Sequence, residues 1–134
     1  MCRRGVRGMR ELTLTQKILV RATELIGRPN GWCKLHWYRQ TATVDQVCML
    51  GAIGKATTEL TGLKLRAGDT VNTQAFNTLI DSVVELVAPF SPMKQLGGRS
   101  ALSSFNDNHA TTQEQVKDVF CKAVKKELGA EDDE

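Results

Sequence analysis

The chain has 134 residues, of which 41% are hydrophobic and 25% charged, and these values are ordinary for a single globular domain. It contains no apolar run of the roughly 20 residues that a membrane-spanning helix requires. No hydrophobic segment of the signal-peptide type follows the basic N-terminus, so we expect a cytoplasmic protein with no membrane partner. The four cysteines include no CxxC pair, which argues against a zinc ribbon or a thioredoxin-like redox site.

The net charge of +3 is unevenly distributed along the chain. Residues 1–40 hold nine Lys or Arg against two acidic residues, residues 41–110 hold five against six, and residues 111–134 hold four against seven. We interpret residues 1–12 as a disordered basic leader that could contact nucleic acid or an acidic surface. No aromatic residue lies among its arginines and no groove-reading motif follows it, which favours a solvated leader. Nucleic acid is therefore not an expected partner, except through this leader.

The first predicted helix begins at Thr13 and ends near Ile26. Thr13 and Gln16 have the Thr-x-x-Gln spacing of a capping box. Gly27, followed by Pro29, is typical of a helix end. Apolar residues recur at the spacing of a buried helical face. They are Leu14, Ile18, Ala22, Leu25 and Ile26.

Residues 31–40 are predicted to form a short strand or an ordered loop. This segment holds three of the chain's seven aromatic residues, counted as two Trp, one Tyr and four Phe. They are Trp32, Trp37 and Tyr38. Closely spaced tryptophans usually anchor the edge of a core, and they can also offer a flat stacking surface to a ligand.

Residues 43–60 are predicted to form the central helix, around which the other elements pack. Thr43 and Gln46 have capping-box spacing, and the residues that follow are almost continuously small or apolar. A helix that is apolar all round is buried on several sides. Gly51 and Gly54 would each cost about 1 kcal/mol relative to alanine in a helix interior. We therefore expect a backbone or a ligand to approach this helix closely at its glycines.

A third helix is predicted from Asn72 or Thr73 to about Ala88, and a short strand is predicted before it at residues 63–66. The inner side of this helix is apolar. It consists of Phe76, Leu79, Ile80, Val83, Leu86 and Val87.

The last helix is predicted to begin with a capping box of Thr111 and Glu114 and to end near Leu128. Residues 101–105 before it are expected to form one or two helical turns. The predicted fold is therefore mainly α.

We expect a single-domain bundle of four main helices, with one short strand or ordered loop around residues 31–40. The helical domain would span residues 13–128, and residues 129–134 would form an acidic tail that frays.

Three short motifs stand out along the chain: Gly31-Trp32-Cys33, Cys48-x-x-Gly51-Ala52 and Phe105-Asn106-Asp107. Together with a last helix that begins in a Thr- and Gln-rich segment, they resemble a family of small proteins of unknown function from actinobacterial genomes and their bacteriophages. The resemblance covers about residues 14–128. The chain departs from the family pattern at Val47, where Trp is frequent, and at Lys34 and Leu35, which replace a small pair. The resemblance implies a helical fold and a bacterial or phage cytosol, and it implies no activity.

The function that we predict is non-enzymatic binding of a polar, nucleotide-like ligand, or the blocking of a host protein. The predicted ligand-binding residues are Trp32, Cys33, Arg39, Gly51, Asn106, Asp107 and His109. Tryptophan offers a stacking face, arginine a forked cation, and asparagine and aspartate polar groups. Arg99 could supply a second cation. These groups would form one pocket above the Gly51 face, with no cofactor, and exposed loop aromatics or leucines would favour self-association.

An alternative function is that of a cysteine-dependent hydrolase or transferase. Cys33 would be the nucleophile, and His109 or His36 would be its base. Asn106 or Asp107 would orient that base. No known catalytic-cysteine motif surrounds Cys33.

A metal site is a third hypothesis, in which Cys33, His36, Cys48 and His109 would complete a tetrahedron. On an extended segment, however, the side chains of residues 33 and 36 point to opposite faces. A metal is therefore not predicted.

DNA binding is a fourth hypothesis. A helix-turn-helix within residues 43–76 would need a turn of about three or four residues, and the link here is longer. The second helix also carries no Lys or Arg.

Overall fold

The computed structural model describes residues 11–129, which form five α-helices and one two-stranded antiparallel sheet. The elements are α1 (Leu14–Ile26), β1 (Tyr38–Gln40), β2 (Asp45–Val47), α2 (Met49–Thr61), α3 (Thr70–Val87), α4 (Gly98–Asp107) and α5 (Gln113–Leu128). The prediction of a mainly α fold is confirmed. The described chain has five helices and not four, because the one or two turns expected at 101–105 are part of a ten-residue helix. The predicted leader and acidic tail lie outside the described residues, except for residues 11, 12 and 129.

One hydrophobic core lies between the helices. Its largest fully buried side chains come from all five helices and from β2, and they include Ile18, Leu25, Met49, Val47, Ile80, Leu102 and Phe120. Leu14 was assigned to the buried face of α1, but it is 42% exposed because it occupies the first position of the helix. Within residues 11–129, no helix is both long and apolar enough to cross a membrane.

The capping box at the start of α1 is confirmed. The Thr13 hydroxyl accepts a hydrogen bond from the Gln16 N–H, and the Gln16 side chain accepts one from the Thr13 N–H, each at 3.1 Å. The box at α5 lies one residue later than predicted. Thr112 pairs with Gln115 there, whereas Thr111 is buried and precedes the helix.

Helix α3 begins earlier than predicted because Asp69 is its cap. The Asp69 carboxylate accepts a hydrogen bond from the Asn72 N–H at 3.0 Å, which places Asn72 and Thr73 inside the first turn. The side chains of these two residues accept hydrogen bonds from the Lys64 and Arg66 N–H groups. Residues 63–66 thus bond to side chains in the first turn of α3, and they form no strand. The prediction of a strand there is wrong.

The predicted start of the central helix is also wrong. Residues 45–47 form strand β2, which pairs with β1 in the register Tyr38–Val47, Arg39–Gln46 and Gln40–Asp45. The Gln46 side chain donates to the Asn30 carbonyl at 3.0 Å, so it does not close a capping box with Thr43. Competition from the β1–β2 pairing therefore overrides the helix signal in this segment.

Helix α2 is capped by Cys48, whose sulfur accepts a hydrogen bond from the Gly51 N–H at 3.2 Å. The close approach predicted at the glycines is present. A Cβ atom on Gly51 would lie 1.9 Å from the Trp37 carbonyl oxygen. A Cβ atom on Gly54 would lie 3.0 Å from the Tyr38 hydroxyl and 3.2 Å from the Trp37 ring. The glycines therefore seat the hairpin directly on the helix.

We predict that Gly51→Ala lowers the free energy of unfolding by about 1–3 kcal/mol, as overpacking does in well-packed regions. The new methyl group would collide with a backbone carbonyl, which cannot rotate away as a side chain can. Gly54→Ala is the matched control, because its methyl would meet only side-chain atoms and alanine favours a helix by about 1 kcal/mol. Urea unfolding of both variants measures the difference, and equal stabilities would contradict the role given to Gly51.

Candidate functional site

The Asn106 side chain is the centre of a buried hydrogen-bond network at the end of α4. Its oxygen accepts hydrogen bonds from the Trp32 indole N–H at 2.7 Å and from the Met49 N–H at 3.0 Å. Its amide nitrogen donates to the Cys33 carbonyl at 3.1 Å and to the Asp107 carboxylate at 3.0 Å. Asn106 is 1% exposed, and its full hydrogen-bonding capacity is used by these four partners.

Asp107 extends this network to an exposed loop. Its carboxylate accepts a hydrogen bond from the Leu35 N–H at 2.8 Å. Leu35 has a φ of 72°, in the left-handed region, and it is 74% exposed. Lys34 donates to the Asn108 carbonyl at 2.7 Å and lies 5.5 Å from the centre of the Trp32 ring. The loop is thus held by three successive residues of the α4 end.

The segment around Trp32 and the end of α4 therefore meet, although they are distant in the chain. Four of the seven predicted site residues form one cluster: Trp32, Cys33, Asn106 and Asp107. The space above Gly51 is filled by the Trp37 carbonyl. His109 is exposed in the turn between α4 and α5. Arg99 is engaged elsewhere, since it donates to Asp81 at 2.6 Å and to Asn77 at 2.8 Å.

The thiols near this cluster are poorly suited to nucleophilic chemistry. Cys33 is 5% exposed, and burial is the main reason that the pKa of its thiol is raised. Of the nearby charges, Arg39 acts to lower this pKa and Asp107 acts to raise it. Burial likewise raises the pKa of the Cys48 thiol to about 11. A thiolate is the reactive form of cysteine, and these environments disfavour it. Among residues 11–129, neither histidine side chain forms a hydrogen bond with the Cys33 thiol, which instead faces the His36 carbonyl at 3.4 Å.

The four residues considered for a metal do not assemble into a site. In the part of the chain from residue 11 to residue 129, no group of three or more His, Cys, Asp or Glu side chains could hold an ion.

An open groove of about 470 Å³ lies beside the hairpin. It runs between β1–β2, the middle of α2 and the segment that precedes α3. Its aromatic lining is formed by Trp37, Tyr38 and Phe76. Its charged lining is formed by Arg39, Lys55, Lys64, Asp45 and Glu59. This volume lies within the range of about 300–1,000 Å³ of small-molecule sites.

Of the seven predicted site residues, Arg39 is the one that lines this groove. Sequence reasoning missed Lys55, Lys64 and Phe76, since they are far apart in the chain and were assigned to a helix, a strand and a core stripe. The spacing of Gly51 and Gly54 was the signal available, because it marks the helix face on which the hairpin lies.

The model of a family of unknown function, DUF6197, matches residues 10–126. The chain belongs to this family, and the resemblance to an uncharacterised family is confirmed to that extent. No curated protein and no solved structure matches the chain.

We predict that Asn106→Ala lowers the free energy of unfolding by about 2–4 kcal/mol. The change leaves the Trp32 indole N–H and the Met49 N–H without their acceptor, and each unsatisfied buried group costs about 1–3 kcal/mol. Asn108→Ala is the control, because that side chain accepts one exposed hydrogen bond, from the Ala110 N–H. Urea unfolding measures both variants, and an Asn106 variant no less stable than the Asn108 variant would show that the network is dispensable.

We also predict that the protein loses stability at alkaline pH through Cys48. The folded-state pKa of its thiol is raised from 9.0 to about 11, so the contribution is fully present below the unfolded pKa and is lost as the pH rises towards the folded one. The expected loss is roughly 1–3 kcal/mol.

Cys48→Ser separates this effect from other alkaline titrations. A serine hydroxyl can accept the Gly51 N–H bond and retain the helix cap, but it does not ionise in this range. Unfolding free energies measured at pH values between the two pKa values should fall more steeply for the wild type. Parallel pH profiles for the two proteins would refute the assignment.

Proposed function

We propose that this member of the DUF6197 family is a non-enzymatic binding protein that takes a small, polar, negatively charged ligand into the groove beside the β1–β2 hairpin. The observation that carries the proposal is the groove itself, whose lining combines aromatic rings with cations that have no ion-pair partner among residues 11–129. Ligand sites in proteins have this composition: an apolar concave surface with a few polar groups that fix orientation.

The charge balance of the groove favours an anion. Among the described residues, Arg39, Lys55 and Lys64 make no ion pair and no side-chain hydrogen bond. Of the two acidic lining residues, Glu59 is neutralised by Arg21, whose guanidinium donates to it at 2.6 Å. Free cations beside a low-dielectric aromatic wall attract a negative charge more strongly than cations in open water do.

In this proposal the Asn106 network is the support of the site. Its side-chain groups are committed to internal partners, so they hold residues 32–35 in place. The same chain segment continues into Trp37 and Arg39, which line the groove. Binding groups that are held by a rigid scaffold lose less entropy when a ligand arrives.

The proposed use of such a protein follows from its resemblance to bacterial and bacteriophage proteins. In an infected host cell, a small binder without catalysis would act by sequestering a host signal molecule. The burial and the raised pKa of Cys33 make the cysteine-dependent hydrolase the weaker alternative.

We predict that protein purified from its natural host carries a bound small anion, seen as added mass in native mass spectrometry and lost on denaturation. Arg39→Gln should reduce the occupied fraction strongly, because a charge-assisted hydrogen bond is worth about 1.5–3 kcal/mol, or roughly tenfold or more in affinity. Arg66→Gln is the matched control, because it removes the same charge from an exposed residue that does not line the groove.

Retention of the bound mass by Arg39→Gln, or equal loss in both variants, would contradict binding in the groove. A Cys33→Ser protein should keep the ligand. If Cys33→Ser instead accumulates an unprocessed ligand that the wild type converts, the protein is an enzyme and the proposal is wrong.

A further inference from the structure

We infer that the ligand of the groove is a planar aromatic ring that carries a single anionic group, of the size of a nucleoside monophosphate. This inference rests on the proposed function and names the class of molecule that the site takes. Three features of the lining carry it: an aromatic corner, a rigid support behind that corner, and a limited excess of positive charge.

The aromatic corner is formed by Trp37 and Tyr38. Their ring centres lie 6.3 Å apart and their planes meet at 71°. A flat ring can therefore stack on one of these faces while its edge meets the other, which are the two favourable geometries of aromatic pairs. Tyr38 is 50% exposed, so its ring is accessible from the groove.

The corner is held from behind by α2. The Trp37 carbonyl accepts a hydrogen bond from the Cys48 N–H at 3.1 Å and lies directly over Gly51. The Trp37 ring and the Tyr38 hydroxyl both lie close to Gly54, at 3.2 and 3.0 Å from where its Cβ would be. The Trp37 backbone is therefore held against α2, and both rings pack beside the same helix. An aromatic face placed in this way favours a planar ring, because stacking adds to the energy of apolar burial.

The charge of the lining limits the ligand to one anionic group. Arg39, Lys55 and Lys64 are free cations, and Asp45 is a carboxylate that has no side-chain partner among the described residues. A phosphate monoester can be matched by these cations. An extended polyphosphate would bring further negative charge to the same lining, where Asp45 repels it.

The test is equilibrium binding of the purified full-length protein to AMP, GMP, CMP and UMP, compared with the matching nucleosides, with ribose 5-phosphate and with ATP. At least one monophosphate should bind about tenfold or more tightly than its nucleoside and than ribose 5-phosphate. ATP should bind more weakly than AMP. Asp45→Asn should improve ATP binding more than AMP binding.

Two substitutions at one position test the ring contact. Tyr38→Leu should weaken the monophosphate about tenfold and leave ribose 5-phosphate unchanged, because leucine keeps the apolar cover but removes the aromatic face. Tyr38→Phe keeps the ring and should retain the binding. Circular dichroism of both variants confirms that they are folded.

The outcomes distinguish this inference from the proposed function. A nucleoside that binds as tightly as its monophosphate, or ribose 5-phosphate that does so, overturns the ligand class and leaves groove binding intact. The same holds if no probe binds while host-purified protein carries another ligand that Arg39→Gln releases. If neither the probes nor any host molecule binds, both the inference and the proposed function are wrong.

Discussion

The contact between the Trp37 backbone and the bare face of α2 at Gly51 is the constraint on which the proposed binding groove depends. The carbonyl oxygen lies where a Cβ would otherwise be, and it accepts the Cys48 N–H at the start of the helix. This contact fixes the height of β1 above α2, and β1 in turn supplies one wall of the groove. A helix built from larger residues could not hold the hairpin so close.

Asn106 fastens the other end of the same segment, and it does so with a fully satisfied polar network inside an apolar core. Such networks specify one arrangement of the chain, because every alternative arrangement leaves buried donors or acceptors unpaired. The segment from Trp32 to Trp37 is therefore held at both ends. Between them Leu35 adopts a left-handed backbone that a bulky residue rarely adopts, which the two fixed ends and the Asp107 carboxylate impose on it.

The sequence predicted the elements whose signals are local, and it failed where long-range pairing decides. The α1 capping box and the close approach at Gly51 needed only neighbouring residues or residue size, and both are present. Thr43 and Gln46 also have capping spacing, but the pairing of β2 with β1 takes that segment out of the helix. The candidate groove was predicted only in part, because it too depends on contacts between residues that are distant in the chain. Trp32 and Asn106 were marked as polar or aromatic residues left over from the core, whereas the groove arises from the folding of three distant segments.

The hydrogen bonds of Asn106 join residues that are far apart in the chain: 74 positions to Trp32, 73 to Cys33 and 57 to Met49. None of them can form until α4 docks, so the final shape of the loop depends on contacts between residues that are distant in the chain. Amide protons of that loop, including the one on Leu35, exchange with solvent whenever α4 opens. The shape of the loop that follows Trp32 is thereby coupled to the docking of α4, a ten-residue helix that comes much later in the chain.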